Sequence, residues 1–198
     1  MTEQVREMEQ FGGTAEENAA ARIDSWPKIV AFLNAELEPK RMPRMTDDNE
    51  IFLREAIALA YANAEKGGRP FGAVIVRDGR VVARGVNEIL ATGDPTSHAE
   101  LNAIRLASRS LGADLSGCKV FASGHPCPMC MAAMRLAGIA AVTYAYSNED
   151  GAPYGLSTAA IYDDLAKPFA EQSMEIRHLP VRNENKPALY ADWRQRQG

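Results

Sequence analysis

From about residue 46 onward, apolar positions alternate between helical stripes and β-type runs in a regular order. Leu53, Ile57, Ala60 and Ala64 recur at helical spacing behind Thr46, which can cap a helix whose first turn is acidic (Asp47, Asp48, Glu50). Lys66-Gly67-Gly68 stops that helix. The runs Phe71 to Val76 and Arg80 to Val86 flank Asp78-Gly79, where both positions tolerate positive φ, so an antiparallel hairpin is predicted. There follow a helix from about His98 to Leu111, a strand around Lys119 to Ala122, a helix from about Pro128 to Ala137 and a strand around Ala140 to Tyr146. Beyond Asp150 the pattern weakens to a helical patch near Thr158 to Leu165, a strand at Met174 to Leu179 and a C-terminal helix through Trp193. Strands alternating with helices after an opening hairpin predict a layered α/β domain around a mixed sheet of about five strands.

Residues 1–45 read differently: an acidic stretch, a short helix with Trp26, Ile29, Val30, Leu33 and Leu37 at helical spacing, then a connector, Pro39-Lys40-Arg41-Met42-Pro43-Arg44. This is expected to be an N-terminal extension, with residues 46–198 forming the functional domain. At 198 residues and 46% hydrophobic, the chain can build one sizeable core. Its longest apolar stretches, Ile57 to Ala62 and Ala137 to Val142, fall far short of the roughly 20 residues that span a bilayer. Met1 to Gln10 lack an apolar h-region, so a cytoplasmic location with reduced thiols is expected. The net charge of -4 disfavours a polyanionic partner, whose phosphates need Lys and Arg.

Chemistry concentrates in His98-Ala99-Glu100 and Pro126-Cys127-Pro128-Met129-Cys130, each opening a predicted helix. Two thiolates and one imidazole match a catalytic zinc site, which takes three protein ligands and leaves one position open. The positive dipole end of a helix favours thiolate over thiol, which strengthens metal binding. Glu100, two residues after His98, is placed to move protons beside the metal without competing for it. Its structural alternative is a capping box, since Ser97-x-x-Glu100 has the right spacing. The Cys pair alone could be a redox pair or half of a zinc knuckle. A knuckle needs four ligands, and Cys118, before a predicted strand, reads as a buried apolar residue. His125 reads as a group supporting the site or as a turn residue, and His178 as a surface histidine.

With its H-x-E and P-C-x-x-C segments, the chain resembles the cytidine deaminase-like superfamily of zinc deaminases. Pro70-Phe71-Gly72-Ala73-Val74-Ile75-Val76, Gly85-Val86-Asn87, Asp94-Pro95-Thr96-Ser97-His98-Ala99-Glu100, Ala103-Ile104-Arg105 and Pro126-Cys127-Pro128-Met129-Cys130 look most like its bacterial guanine deaminase branch. The resemblance covers about residues 50 to 195 and implies a three-layer αβα sandwich, a homodimer and one Zn2+. It implies hydrolytic release of ammonia from a free nucleobase or related small amino-heterocycle, guanine-like purines before cytosine, with Glu100 as proton carrier. Substrate contacts carried over by position are Asn87, Phe71 and Ala99. Asn87 could instead only shape a turn, and Phe71 could be core.

Three departures bear on substrate. Thr158 stands where guanine deaminases of this type carry an acidic residue, the chain ends Gln195-Arg196-Gln197-Gly198 without their terminal aromatic, and His125 replaces a common glutamate. The nearest alternative activity is tRNA adenosine deamination, which the acidic balance disfavours. An alternative of another class is a non-catalytic, zinc-stabilised binding module, which would have no use for a carboxylate at Glu100.

Overall fold

The computed structural model describes residues 48–184 and 186–197, so the extension over residues 1–45, its helix and the Thr46 cap lie outside the described residues. Helix α1, Asp48–Glu65, leads into strands β1, Gly72–Arg77, and β2, Arg80–Val86. The turn between the strands has Asp78 at φ 51 and Gly79 at φ 71, the double left-handed geometry that matches the twist of a tight hairpin. A short helix α2, Ile89–Thr92, precedes helix α3, Ala99–Leu111. Strand β3, Cys118–Gly124, helix α4, Pro128–Leu136, and strand β4, Ala141–Tyr146, follow. The remainder is short: α5, Asn148–Gly151, α6, Ala159–Leu165, α7, Leu189–Gln195, and single turns of 3-10 helix at Ala152–Tyr154 and Phe169–Glu171.

The sheet runs β2-β1-β3-β4, with β1 antiparallel to both neighbours and β4 parallel to β3. The parallel pair needs a crossover, and α4 supplies it. Because strand side chains alternate, Ala73, Ile75 and Val120 point to one face and pack with Ala99, Ala103 and Ala107 of α3 and Cys130 and Met134 of α4. Val74, Val76 and Phe121 point to the other and pack with Ala56, Phe52 and Leu53 of α1. The result is the expected αβα sandwich, and β1 is buried from Gly72 to Val76 because helices cover both its faces.

Small residues set how closely α3 docks. Gly85 of β2 faces it, and a Cβ there would strike the carbonyl oxygen of Ala99 and lie 2.6 Å from the backbone nitrogen of Ala103. The helix therefore starts directly against the sheet, which fixes where His98 and Glu100 begin.

The sheet has four strands among the described residues, not about five. Met174 to Leu179 alternates like a strand but forms none, and Met174, Ile176 and Leu179 are exposed. An alternating run becomes a strand only when a neighbouring ladder accepts its backbone groups, and this one finds no such neighbour among the described residues.

Candidate active site

Two helix starts converge at one end of β3. His98 is the N-cap of α3 and Cys127 the N-cap of α4, both with extended backbone and neither using its side chain to cap. Pro128 at the first position of α4 sets its entry, and Cys130 follows one turn on. His98 Nδ1 lies 3.5 Å from Cys127 Sγ and 3.6 Å from Cys130 Sγ, and the two sulfurs are 3.5 Å apart. Tetrahedral zinc with ordinary Zn–S and Zn–N bonds separates its ligands by about 3.6–3.8 Å. The donor set thus fits zinc in chemistry and in spacing, with three side chains and one open position.

Glu100 is buried in the first turn of α3, with Oε2 3.5 Å from Cys130 Sγ. The Ser97–Glu100 capping box does not form: the Ser97 hydroxyl bonds the Asn102 side chain instead, at 3.3 Å. Burial pushes the Glu100 carboxyl above the usual carboxylate range. Cys127 is brought down to about 4, chiefly by a hydrogen bond from the Cys130 thiol and then by one from His98. Cys130 is pushed up because it donates to that thiolate and is itself desolvated. His98 is raised by its bond to Cys127. Left to themselves, the two thiols hold one proton between them, and a cation is the natural replacement for it.

A cavity of about 100 Å³ opens beside this cluster, lined by His98, Glu100 and Cys127 together with Phe71, Asn87, His125 and Thr158. Asn87 is buried, and its Oδ1 accepts from the Ile89 N–H at 3.2 Å, so it shapes the turn after β2 and lines the cavity at once. Phe71 packs on the core edge and also lines the cavity, an approach that Gly124 permits: a Cβ there would lie 2.9 Å from the ring. Ala99 is buried in the core and is not among the lining residues. Thr158 does reach the cavity, with its N–H and hydroxyl donating to Asn148 Oδ1 at 2.9 and 3.3 Å. His125 stacks on Tyr144 with ring centroids 4.6 Å apart, and Tyr162 beside it donates to the Pro126 carbonyl at 2.6 Å.

Four lining residues carried no signal in the sequence: Arg69, Gly155, Leu156 and Ser157. Arg69 sits in the turn after α1 and the others in the loop after β4, where no periodicity announces which side chains turn inward.

Residues 46–146 match the family described as the cytidine and deoxycytidylate deaminase zinc-binding region. Over 149 residues the chain is 39% identical to the guanine deaminase of Bacillus subtilis, covering 74% of this chain and 94% of that one. The crystal structure of a guanine deaminase from Bacillus subtilis superposes with a TM-score of 0.67 at 38% identity, over 74% of this chain and 93% of that one. A tRNA-specific adenosine deaminase from Aquifex aeolicus is 38% identical over 134 residues, 67% of this chain and 85% of its own length. With a matched zinc-binding region, a donor set that fits the metal and deaminases among its relatives, the chain belongs to the cytidine and deoxycytidylate deaminase zinc-binding family and is a zinc-dependent deaminase, a hydrolase of C–N bonds.

Proposed function

We propose that the chain removes an exocyclic amine from a free nucleobase or a related small amino-heterocycle, with guanine-like purines favoured over cytosine. One observation carries this reading: Glu100 and two of the metal donors, His98 and Cys127, line a single cavity of about 100 Å³, a space on the scale of one heterocyclic ring, and the third donor, Cys130, is buried with its Sγ 3.5 Å from that of Cys127. The likeness to the Bacillus guanine deaminase over most of both chains supports the choice of a purine.

In this reading His98, Cys127 and Cys130 hold the zinc. Zinc held there would lower the pKa of water toward about 7 and so would supply a hydroxide nucleophile at neutral pH. Glu100 would take one proton from water and give it to a ring nitrogen as hydroxide adds to the amine-bearing carbon, then take the proton of the added hydroxyl and pass it to the amine, so that the C–N bond breaks, ammonia leaves and a ring carbonyl remains. A carboxyl raised by burial suits a group that must both accept and return a proton. Phe71 flanks the ring, and Asn87 hydrogen-bonds it.

The protein works as a homodimer in the cytoplasm. Exposed Leu136, Tyr144, Tyr146 and Trp193 support the first part, as apolar surface that a second copy can cover. The three cysteines, none in a disulfide, support the second. Adenosine editing in tRNA is the second reading, favoured by the likeness to the Aquifex enzyme and opposed by the net charge of -4.

The test is ammonia release from guanine, cytosine, adenine, guanosine, cytidine and synthetic aminotriazines, beside inosine formation in tRNA. Turnover of a free base, guanine-like purines before cytosine, is the expected result. Robust inosine formation with no free-base activity would overturn the proposal.

A further inference from the structure

The cavity beside Glu100 has one feature that a bare neutral base does not use. Its ionisable lining consists of buried Glu100, the metal donors His98 and Cys127, His125 and exposed Arg69; the other polar side chains on its wall, Asn87, Ser157 and Thr158, are neutral. Arg69 is held in place by its backbone. The Asn63 side chain donates to the Arg69 carbonyl at 2.7 Å and to the Asn87 carbonyl at 2.8 Å, and the Phe71 N–H donates to the same Arg69 carbonyl at 2.8 Å. One amide thus ties the turn carrying Arg69 to the strand end carrying Asn87. Gly68 makes that contact possible, because a Cβ there would lie 2.5 Å from the Asn63 amide.

Several other arginines are matched by acids: Arg54 with Glu50 at 2.6 Å, Arg84 with Glu55 at 2.5 Å, Arg177 with Glu175 at 2.7 Å and Arg196 with Asp192 at 3.0 Å. Arg69 has no ion-pair partner among the described residues. Position 158 adds to the effect. Thr158 on the same wall is neutral, and its hydroxyl is committed to Asn148 at 3.3 Å. The cavity therefore presents one exposed guanidinium, carried on an anchored turn and without an ion-pair partner among the described residues.

We propose that Arg69 is a specificity-determining residue that selects substrates whose ring carries an anionic substituent, a carboxylate or a phosphate. This rests on reading the cavity as the base site. The guanidinium presents a planar fork of N–H donors that matches either anion with two parallel hydrogen bonds. Losing one charge-assisted contact of this kind costs about 10- to 100-fold in affinity or kcat/KM.

Two matched pairs separate the two anions: pterin with pterin-6-carboxylate, and guanosine with guanosine 5′-monophosphate. Ammonia release and calorimetric Kd are measured for each compound with the zinc-loaded wild type, Arg69→Gln and Arg69→Lys. Expected is a preference of about tenfold or more for the anionic member of at least one pair. Arg69→Gln should abolish that preference with less than about a threefold effect on the neutral member, and Arg69→Lys should keep part of it. A response in the first pair alone identifies a ring carboxylate, and in the second alone a phosphate. Equal losses on both members of each pair in Arg69→Gln, or no preference for either anion, would overturn the inference. Arg69-dependent binding of an anion without turnover of any ring would support the inference while counting against the base-deaminase reading.

Discussion

Cys127 and Cys130 differ in kind although they are three residues apart: one is a thiolate at neutral pH, and the other keeps its proton by donating it to the first. Coordination needs both as thiolates and His98 neutral. Zinc uptake at pH 7 should therefore release between about one and two protons per chain, the Cys130 proton and a share from the raised His98. A pH-stat titration of metal-free protein with zinc measures it; a release well below one would mean that the thiols do not share a proton. Glu100 gives the second expectation at this scale. It is a buried carboxyl outside any capping box, so Glu100→Gln removes a desolvated acid and leaves the helix start intact. Thermal stability should hold or rise while kcat falls by about 100- to 10,000-fold with zinc retained, as melting, turnover and metal analysis together would show. Loss of stability by about 0.5–2 kcal/mol with turnover preserved would return Glu100 to a capping role. These four side chains were legible in the sequence because they sit at short spacing on helix starts. Arg69 and Ser157 were not, since only the folding of two loops against the sheet makes them neighbours of the metal donors.

At the scale of elements, the hairpin and the β3-α4-β4 crossover were legible because each carries its own turn or cap chemistry. Asp78-Gly79 fixes the hairpin locally, and Pro128 and Gly138 bracket α4. The Met174 to Leu179 run shows the limit. Alternation records which side chains could face a core but not whether a ladder is available, and β4 at the sheet edge does not pair with it. What the elements do for the site is clearest at Gly85. A methyl group there meets backbone atoms of Ala99 and Ala103 in the first turn of α3, where no rotamer can relieve it. Gly85→Ala should destabilise the fold by about 1–3 kcal/mol. It should also weaken zinc binding, because the helix that must shift carries His98 at its cap. Chemical denaturation and competition with a chromogenic chelator measure the two effects. Lost stability with unchanged zinc affinity would show that α3 docking and donor placement are uncoupled.

For the whole molecule, the zinc donors join the starts of two helices that lie on either side of β3 in sequence, so metal and fold stabilise one another. Zinc held at 100 times its Kd adds about 2.7 kcal/mol to the native state. For a chain of this size that corresponds to roughly 5–10 °C in Tm. Stripping the metal with a chelator should lower the calorimetric transition by that amount, and zinc, rather than magnesium, should restore it. An unchanged transition would mean that the metal contributes nothing to native stability. The hairpin at Asp78 and Gly79 has the opposite relation to the site. Strand β1 begins at Gly72, the residue after cavity-lining Phe71, and runs six residues, about 20 Å, before the chain turns at that exposed tip. The tip is therefore the place where the covalent chain tolerates an insertion: a short Gly/Ser peptide between Asp78 and Gly79 should leave zinc content and ammonia release close to those of the parent. A site that can be fused to a reporter at its far end without disturbing its chemistry is a practical starting point for a base-responsive sensor.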